Sequence, residues 1–169
     1  MRPTGNWRMT ILETRAQQGL ARHNPEDLQR IAGLTTKNTN SDVRVAIKSL
    51  FYLASEPGLD VDSAFGRANK DVVVDVIHDL NDRCLLILES ARRSQAGFVR
   101  EVYQRYKNLS QAAGEVPFSY MHFYNHLSYL QSCGLILLVA TKVGRAYTNQ
   151  IRLLFDPDVE SSTFKARFG

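Results

Sequence analysis

Positively charged residues gather in the second half of the chain, where they could bind an anion. Residues 83–152 contain nine Lys and Arg residues against three Glu residues, a net charge of +6, whereas residues 1–80 contain ten of each sign. A basic half joined to a neutral half is typical of a protein with an anionic partner, and nucleic acid is the commonest such partner. The alternative interpretation is a surface charge that only keeps the protein soluble.

One predicted helix in the basic half carries side chains that can contact base edges in duplex DNA. Asn125 can form two hydrogen bonds with adenine, and Tyr120 and Met121 can pack against sugars or thymine methyl groups. None of the outward candidates on this helix is Lys or Arg; they are Tyr120, Met121, His122, Asn125 and His126. The alternative is that Tyr120, Tyr124 and Tyr129 are half-buried packing residues.

We expect the cations of a predicted hairpin to contact the DNA phosphates. Arg145 stands beside Gly144, which lets the backbone approach a phosphate closely, and Lys142 flanks the pair. Arg92 and Arg93 lie at the end of another predicted helix, where they contact the DNA backbone or only cap that helix. The predicted DNA-binding residues are Ser119, Tyr120, Met121, His122, Asn125, Lys142, Arg145 and Tyr147.

Other kinds of site have little support in the sequence. His122 and His126 are four residues apart, a spacing that suits a metal ion, but no third ligand lies near them, so no metal site is predicted. No catalytic arrangement of nucleophile and base or of paired carboxylates stands out, so an enzyme is not predicted. Cys84 and Cys133 form no CxxC motif and are expected to be reduced thiols. The longest apolar run, residues 135–140, is too short to span a membrane, and no secretory signal is recognisable.

Hydrophobic periodicity predicts helices through the first 80 residues. The first predicted helix carries an apolar stripe from Ile11 to Leu20. Asn24 caps the second helix, which stops by Gly33, so residues 34–40 are predicted as a loop. The remaining predicted segments are a helix that begins at a cap on Asn40 or Ser41 and ends at Glu56, a short helix over residues 62–68 and a helix over residues 71–80.

The second half has the element order of a winged helix. Helices are predicted over residues 85–93, 98–113 and 119–133, followed by strands over 135–141 and 147–155 with a five-residue link. The last two helices form the helix-turn-helix, and the hairpin is the wing. We therefore predict a mainly α-helical chain, with a helical domain over residues 1–70, a winged-helix DNA-binding domain over 71–155 and a weakly ordered tail over 156–169.

Several segments carry a further pattern in a fixed order. In the second half they are Glu101–Tyr106, Pro117–Tyr120, Leu127–Ile136 and Gly144–Arg145, and in the first half Ile11–Ala16 and Ser41–Ile47. Over roughly residues 7–155 they resemble the helical AAA+ lid and C-terminal winged helix of the archaeal origin-recognition and cell-division-control replication initiators.

The resemblance implies binding of duplex DNA at replication origins, contacts with the replicative helicase or other initiator subunits, and a cytoplasmic, nucleoid-associated location. It also implies that Arg44 approaches the terminal phosphate of ATP, that Asp42 matches the acidic residue of the lid motif, and that Ser41 replaces its glycine. The sequence contains no G-x-x-x-x-G-K-[ST] loop, so no ATP hydrolysis is predicted for this chain alone. No cofactor is predicted for the chain, and ATP or ADP with Mg²⁺ is expected only where a P-loop domain is present.

Two departures from the family pattern predict weaker DNA binding. Residues 144–148 keep one arginine of the family's Gly-Arg-Gly-Arg-Thr wing, and Met121 and His122 stand where family members often have arginines. Fewer cations release fewer counterions, so the affinity is expected to be lower and its salt dependence shallower. Two alternatives stay open: a winged-helix transcription regulator, and a winged helix that binds a protein through its aromatic surface.

Overall fold

A computed structural model describes residues 7–19, 24–39, 42–144 and 146–169 of the chain. The elements in chain order are α1 (Trp7–Gly19), α2 (Pro25–Asn38), α3 (Val43–Ser55), α4 (Val61–Asp79), α5 (Asp82–Arg92), α6 (Val99–Ala112), α7 (Tyr120–Ser132), β1 (Ile136–Val143), β2 (Ala146–Leu153) and α8 (Pro157–Phe168). The chain divides into two compact units, Met1–Val72 and Val73–Gly169. Within the described ranges, no helix is both long and apolar enough to cross a membrane.

In the first unit, α1, α2 and α3 pack against one another around a small apolar core. The buried residues of this core are Leu12, Ala16, Leu28, Ile31, Ala32, Ala46, Leu50 and Val61. Within α1, α2 and α3 they recur at three- and four-residue spacing, which places one apolar stripe of each helix toward the core. As predicted, Asn24 caps α2, where its side-chain oxygen accepts the backbone N–H of Glu26 at 3.0 Å.

Two predicted boundaries in and after α2 are wrong. The segment predicted as a loop over residues 34–40 continues α2 as far as Asn38. It does so because Thr35 is buried and its hydroxyl donates to the Ile31 carbonyl oxygen at 2.7 Å, which removes the cost of a polar group in the core. At the start of α3, Asp42 is the N-cap and accepts the backbone N–H of Arg44 at 2.9 Å. The predicted caps at positions 40 and 41 lie outside the described residues.

A single helix, α4, replaces the two short helices predicted over residues 62–68 and 71–80. Its buried residues Ala64, Ala68, Val72 and Val76 follow one another at four-residue spacing, so one stripe continues through the predicted break. The valine run lowers helix propensity only slightly, and this burial outweighs it. The boundary between the two units lies inside this helix.

Helix α5 is the centre of the second unit. Every residue from Cys84 to Ala91 is buried, and α6, α7, α8 and β2 all pack against the helix. A helix that is buried on all sides has no polar stripe to mark its ends. The prediction therefore began it at Leu85, whereas Asn81 caps it by accepting the backbone N–H of Cys84 at 2.9 Å.

Strands β1 and β2 form the predicted antiparallel hairpin. The pairing runs from Ile136 opposite Leu153 to Val143 opposite Ala146. The link is therefore two residues, Gly144 and Arg145, and not the five predicted. Gly144 has a φ of +61°, a left-handed conformation that glycine adopts without a steric penalty. The order of helices and hairpin confirms the predicted mainly α-helical, winged-helix fold class.

The C-terminal segment is not the weakly ordered tail that was predicted. Residues 157–168 form α8, which Asp156 caps and which packs against α5. The residues that α8 buries are Glu160 and Thr163. Because both are polar, hydrophobic periodicity gave no signal for this helix.

Candidate nucleic-acid interface

The turn between α6 and α7 is held by two tyrosine hydroxyls. The backbone N–H of Phe118 donates to the Tyr106 hydroxyl at 3.1 Å, and the Tyr103 hydroxyl donates to the Phe118 carbonyl oxygen at 3.1 Å. Tyr106 is fully buried, and its ring lies 5.4 Å from the ring of Phe123 on α7. This clamp fixes the point at which α7 begins, and so positions its outer face.

Ser119 is the N-cap of α7. Its hydroxyl oxygen lies 3.4 Å from the backbone N–H of His122, in the position that satisfies a free donor of the first turn. The residue is exposed, but the structure gives this hydroxyl a role in starting the helix. Ser119 was predicted as a DNA-binding residue, and that role stays a prediction.

Helix α7 has one buried face and one open face. Phe123, Leu127 and Leu130 are buried against the rest of the unit. On the opposite side, the exposed residues Met121, Asn125, Ser128 and Ser132 follow at helical spacing, and Met121 is 74% exposed. We call these four residues the α7 open face. It contains no charged residue.

The tyrosines beside the α7 open face are engaged with neighbouring elements. The ring of Tyr120 meets the ring of Tyr103 edge-on at 5.1 Å, although the residue is still 44% exposed. The hydroxyl of Tyr124 accepts a hydrogen bond from the side-chain amide of Asn149 on β2, which ties α7 to the hairpin. Both tyrosines thus pack against neighbouring elements, and Tyr120 keeps an exposed edge, so its predicted contact with DNA stays a prediction.

The two histidines of α7 have different surroundings. His122 is exposed, whereas His126 was predicted to face outward but turns to the interior, where its ring stacks on Phe118 at 4.3 Å. Its Nδ1 lies 3.7 Å from the Cys84 sulfur, and burial, together with His122 and Arg83, lowers the pKa of His126. In the described part of the chain, no cluster of three or more His, Cys, Asp or Glu side chains is arranged to hold a metal ion.

The hairpin presents Lys142 and Tyr147 as a pair. The two residues are opposite each other in the register, and the Lys142 ammonium lies 6.0 Å from the centre of the Tyr147 ring. Because side chains alternate along a strand, they share a sheet face with Asn149 and Ile151, the face that contacts α7. Tyr147 is 79% exposed. Arg145, the other predicted phosphate-binding residue, lies outside the described residues.

The cations of the second unit divide by whether a carboxylate neutralises them. Arg83 pairs with Glu115, Arg105 with Glu101, and both Arg92 and Arg93 with Glu89. These pairs use all three glutamates of residues 83–152. By contrast, Arg100, Lys142 and Arg152 are exposed, and no ion pair joins them to a carboxylate in the part of the chain that the structure describes. Residues 116–155 contain no Asp or Glu, so neither α7 nor the hairpin contributes an acidic side chain to the surface they form, which we call the acid-free surface.

The family is decided by a match to the winged helix itself. The family described as the C-terminal winged helix domain of CDC6 matches residues 76–162, just over half of the chain. The chain belongs to the CDC6 winged-helix family. This confirms the predicted resemblance to replication initiators for the winged helix, while the resemblance of the first unit to an AAA+ lid stays a prediction. No curated protein matches the chain.

Solved structures are similar to this chain over most of its length, and the first of them shows the same fold. The Orc1 protein of Aeropyrum pernix, in a structure with DNA, is similar over 93% of this chain and 45% of its own, with a TM-score of 0.70 and 22% sequence identity. The Cdc6p structure of Pyrobaculum aerophilum matches with a TM-score of 0.44 and 21% identity, over 96% of this chain and 48% of its own. The chain thus spans less than half the length of these structures.

Arg44 stands at the start of α3, in the first unit. Its Nη2 lies 2.7 Å from the Asp42 Oδ2 and its Nε lies 3.1 Å from Oδ1, so the guanidinium is held by the residue that caps the helix. The Arg44 side chain is 61% exposed. Its expected role in sensing a nucleotide stays a prediction.

The sequence did not predict the residues that hold the CDC6-type winged helix in position from its buried side. The Tyr103 and Tyr106 hydroxyls were interpreted only as part of an apolar face. Gly97 was assigned to a turn, but its φ is +67° and a Cβ there would lie 2.8 Å from the Ile151 carbonyl oxygen, so only glycine fits beside β2. A tyrosine at a predicted core position is the signal that could have found the clamp, because a buried hydroxyl needs a partner.

Proposed function

We propose that this chain is the C-terminal portion of a DNA replication initiator and binds duplex DNA at replication origins through α7 and the hairpin. The observation that carries the proposal is the acid-free surface of residues 116–155, which joins an open helix face to cations without carboxylate partners. Duplex DNA is a uniform polyanion with a groove that admits a helix. The similarity to an Orc1 protein solved with DNA, and membership of the CDC6 family, favour an initiator over a transcription regulator.

The proposed contacts follow from the described geometry. The α7 open face enters the major groove, while Lys142 and Tyr147 reach the backbone beside it. Arg145 contributes a second phosphate contact from the two-residue link. Arg100 at the start of α6 and Arg152 on β2 add further positive charge, because no described carboxylate pairs with either.

The first unit is proposed to act as the lid of an AAA+ ATPase. Arg44 would then approach the terminal phosphate of ATP bound with Mg²⁺ by a P-loop domain, which this sequence does not contain. We accordingly propose that the chain alone does not hydrolyse ATP. The replicative helicase and other initiator subunits are its proposed protein partners, and the nucleoid its proposed location.

A fluorescence anisotropy titration tests DNA binding. One duplex comes from the origin region of the encoding genome and the other is a scrambled duplex of equal composition, each measured at two salt concentrations. We expect preference for the origin duplex, weakened by Arg145→Ala and by Lys142→Ala. Lys165→Ala, on the exposed surface of α8, is the matched control and should bind as the unchanged chain does.

Two results would change the proposal. Equal and strongly salt-sensitive binding to both duplexes would leave a protein that binds only the DNA backbone. Absence of binding at low salt would favour a second function, a winged helix that binds a protein. The observation in favour of that function is the absence of Lys and Arg from the α7 open face.

A further inference from the structure

The α7 open face offers a restricted chemistry to a base pair. Residues 116–132 contain no Lys, Arg, Asp or Glu, so the helix has no fork of positive donors for guanine and no carboxylate for cytosine. What it does present is a thioether side chain, one carboxamide and two hydroxyls. In the major groove these groups match the thymine C5-methyl group and the adjacent donor and acceptor of adenine.

The structure separates Met121 from the other apolar candidates. Tyr120 is packed edge-on against Tyr103, and the Tyr124 hydroxyl is bonded to Asn149. Met121 is 74% exposed at the N-terminal end of the helix, where recognition helices place their base contacts. It is therefore the apolar side chain of α7 that is most free to reach a methyl group.

Asn125 lies on the same face one turn further along. Four residues of helix advance by about 6 Å, and base pairs are stacked about 3.4 Å apart, so side chains at these two positions reach base pairs one or two steps apart. The direction of the face is fixed by the Phe118 clamp and by the tie between α7 and β2. Both side chains are thus presented by a positioned element.

We propose that α7 selects A·T base pairs without using charge, through contact of Met121 with a thymine methyl group and a bidentate pair between Asn125 and a nearby adenine. The proposal rests on the proposed function, since it requires DNA to lie against α7. Charge complementarity favours DNA over a protein as the occupant, because the hairpin carries the exposed Lys142 and neither α7 nor the hairpin contains Asp or Glu.

Replacing single atoms of the DNA tests each contact. The best-bound duplex from a selection on random 30-base-pair sequences would be remade with deoxyuridine in place of each thymidine in turn, which removes one methyl group. At one position we expect about a four-fold loss of affinity, the value of one buried methyl group. Met121→Ala should bind the unmodified duplex about as weakly as the unchanged chain binds the deoxyuridine duplex. It should no longer distinguish thymidine from deoxyuridine at that position. Phe51→Ala, an exposed large side chain of the first unit, should keep it.

The second arm uses 7-deazaadenine, which removes the N7 acceptor. The unchanged chain should lose about five-fold in affinity at one adenine, and Asn125→Ala should not distinguish the two bases. Both substitutions are at exposed positions, and circular dichroism checks that the variants remain folded.

The outcomes separate the two proposals. If no duplex is bound, the proposed function fails and this inference with it. If duplexes are bound and neither base change nor Met121→Ala affects the affinity, DNA binding stands, this inference is overturned, and the α7 open face is left to a protein partner. Discrimination of thymidine from deoxyuridine that survives Met121→Ala would also overturn it.

Discussion

The arginines at the end of α5 and the lysine of the hairpin carry the same charge in opposite surroundings. Arg92 and Arg93 both donate to Glu89, which is fully buried, and Arg92 lies 3.2 Å from the buried Glu160 of α8. Lys142 is exposed, and its described neighbour is the ring of Tyr147. Arg92 and Arg93 therefore stabilise the fold, whereas Lys142 is available to a ligand.

The cause of this difference is the position of the acids. A carboxylate buried at Glu89 must be compensated, because removing a charge from water costs several kcal/mol unless a partner and hydrogen bonds replace the water. Burial alone would raise the pKa of Glu89, but the hydrogen bonds from Arg92 and Arg93 hold it below its ordinary value. Charge counted along the sequence thus overstates the surface available to DNA, and the free cations are those without a nearby carboxylate.

The largest expected effect compares Arg92→Met with Lys142→Met, because both changes remove a charge and keep a long side chain. Arg92→Met leaves Glu89 and Glu160 with one arginine fewer, and we expect the free energy of unfolding to fall by about 3 kcal/mol, the lower end of the range for a broken buried pair. Lys142→Met should change it by less than about 0.5 kcal/mol. Urea unfolding followed by circular dichroism measures both. A loss below about 1 kcal/mol for Arg92→Met would contradict the division into two groups.

A second test uses pH. Burial, and then the Glu89 carboxylate, raise the pKa of Glu160 from 4.5 to about 8, so the folded chain keeps a proton that the unfolded chain releases. The unfolded state binds fewer protons at Glu160 between these values, so this group makes the free energy of unfolding fall as the pH rises from about 5 to 8. The lowered pKa of His126 acts in the opposite direction at pH values below its ordinary 6.5. The lowered pKa of Glu89 acts only at lower pH, where stability is lost on acidification.

Glu160→Gln isolates this effect, since the amide imitates the neutral acid and cannot ionise. In the variant, the free energy of unfolding should fall less between pH 5 and 8 than in the unchanged chain. The variant should therefore exceed the unchanged chain in stability by more at pH 8 than at pH 5. Asp158→Asn, at an exposed position of the same helix, is the control and should leave the slope as it is. An equal gain at both pH values would show that Glu160 does not titrate in this window.

The third test asks whether the free cations account for DNA affinity. Each phosphate contact adds about 0.9 to the slope of log K against log salt concentration. Lys142→Met should lower this slope by about 1, whereas Arg92→Met, measured where it is folded, should leave it unchanged. With so few unpaired cations, the slope of the unchanged chain should be below the value for about eight contacts. A steeper slope would mean that the paired arginines also reach the DNA.

The parts of the fold that depend on neighbours in sequence were predictable. The helix-turn-helix followed by a hairpin was predicted from periodicity, turn residues and the stop at Gly134, whose φ is +75°. The cap at Asn24 was predicted because its chemistry acts over two residues. The α7 open face was predicted in part, with Met121 and Asn125 outward and His126 wrongly among them.

The parts that depend on distant partners were not predictable. The role of Arg92 required Glu160, and α8 was missed because it buries polar residues that become acceptable only beside α5. The Phe118 clamp joins residues 12 and 15 apart through hydroxyls that a hydrophobicity pattern does not register. The importance of Arg145 for phosphate binding stays a prediction from sequence.

The smallest expected effect compares two arginines of one helix, α6. Arg105 pairs with Glu101 one turn before it, at a distance of 3.3 Å between half-exposed groups, and such a pair contributes about 0.3–0.5 kcal/mol. Arg105→Gln should therefore lower the free energy of unfolding by that amount and leave the salt slope of DNA binding unchanged. Arg100→Gln should leave stability unchanged and lower the slope by up to about 1, because no described carboxylate pairs with Arg100. If the two variants lower the salt slope equally, an exposed arginine binds DNA whether or not a carboxylate lies one turn away. The cations that cannot bind DNA would then be only those paired with a buried carboxylate.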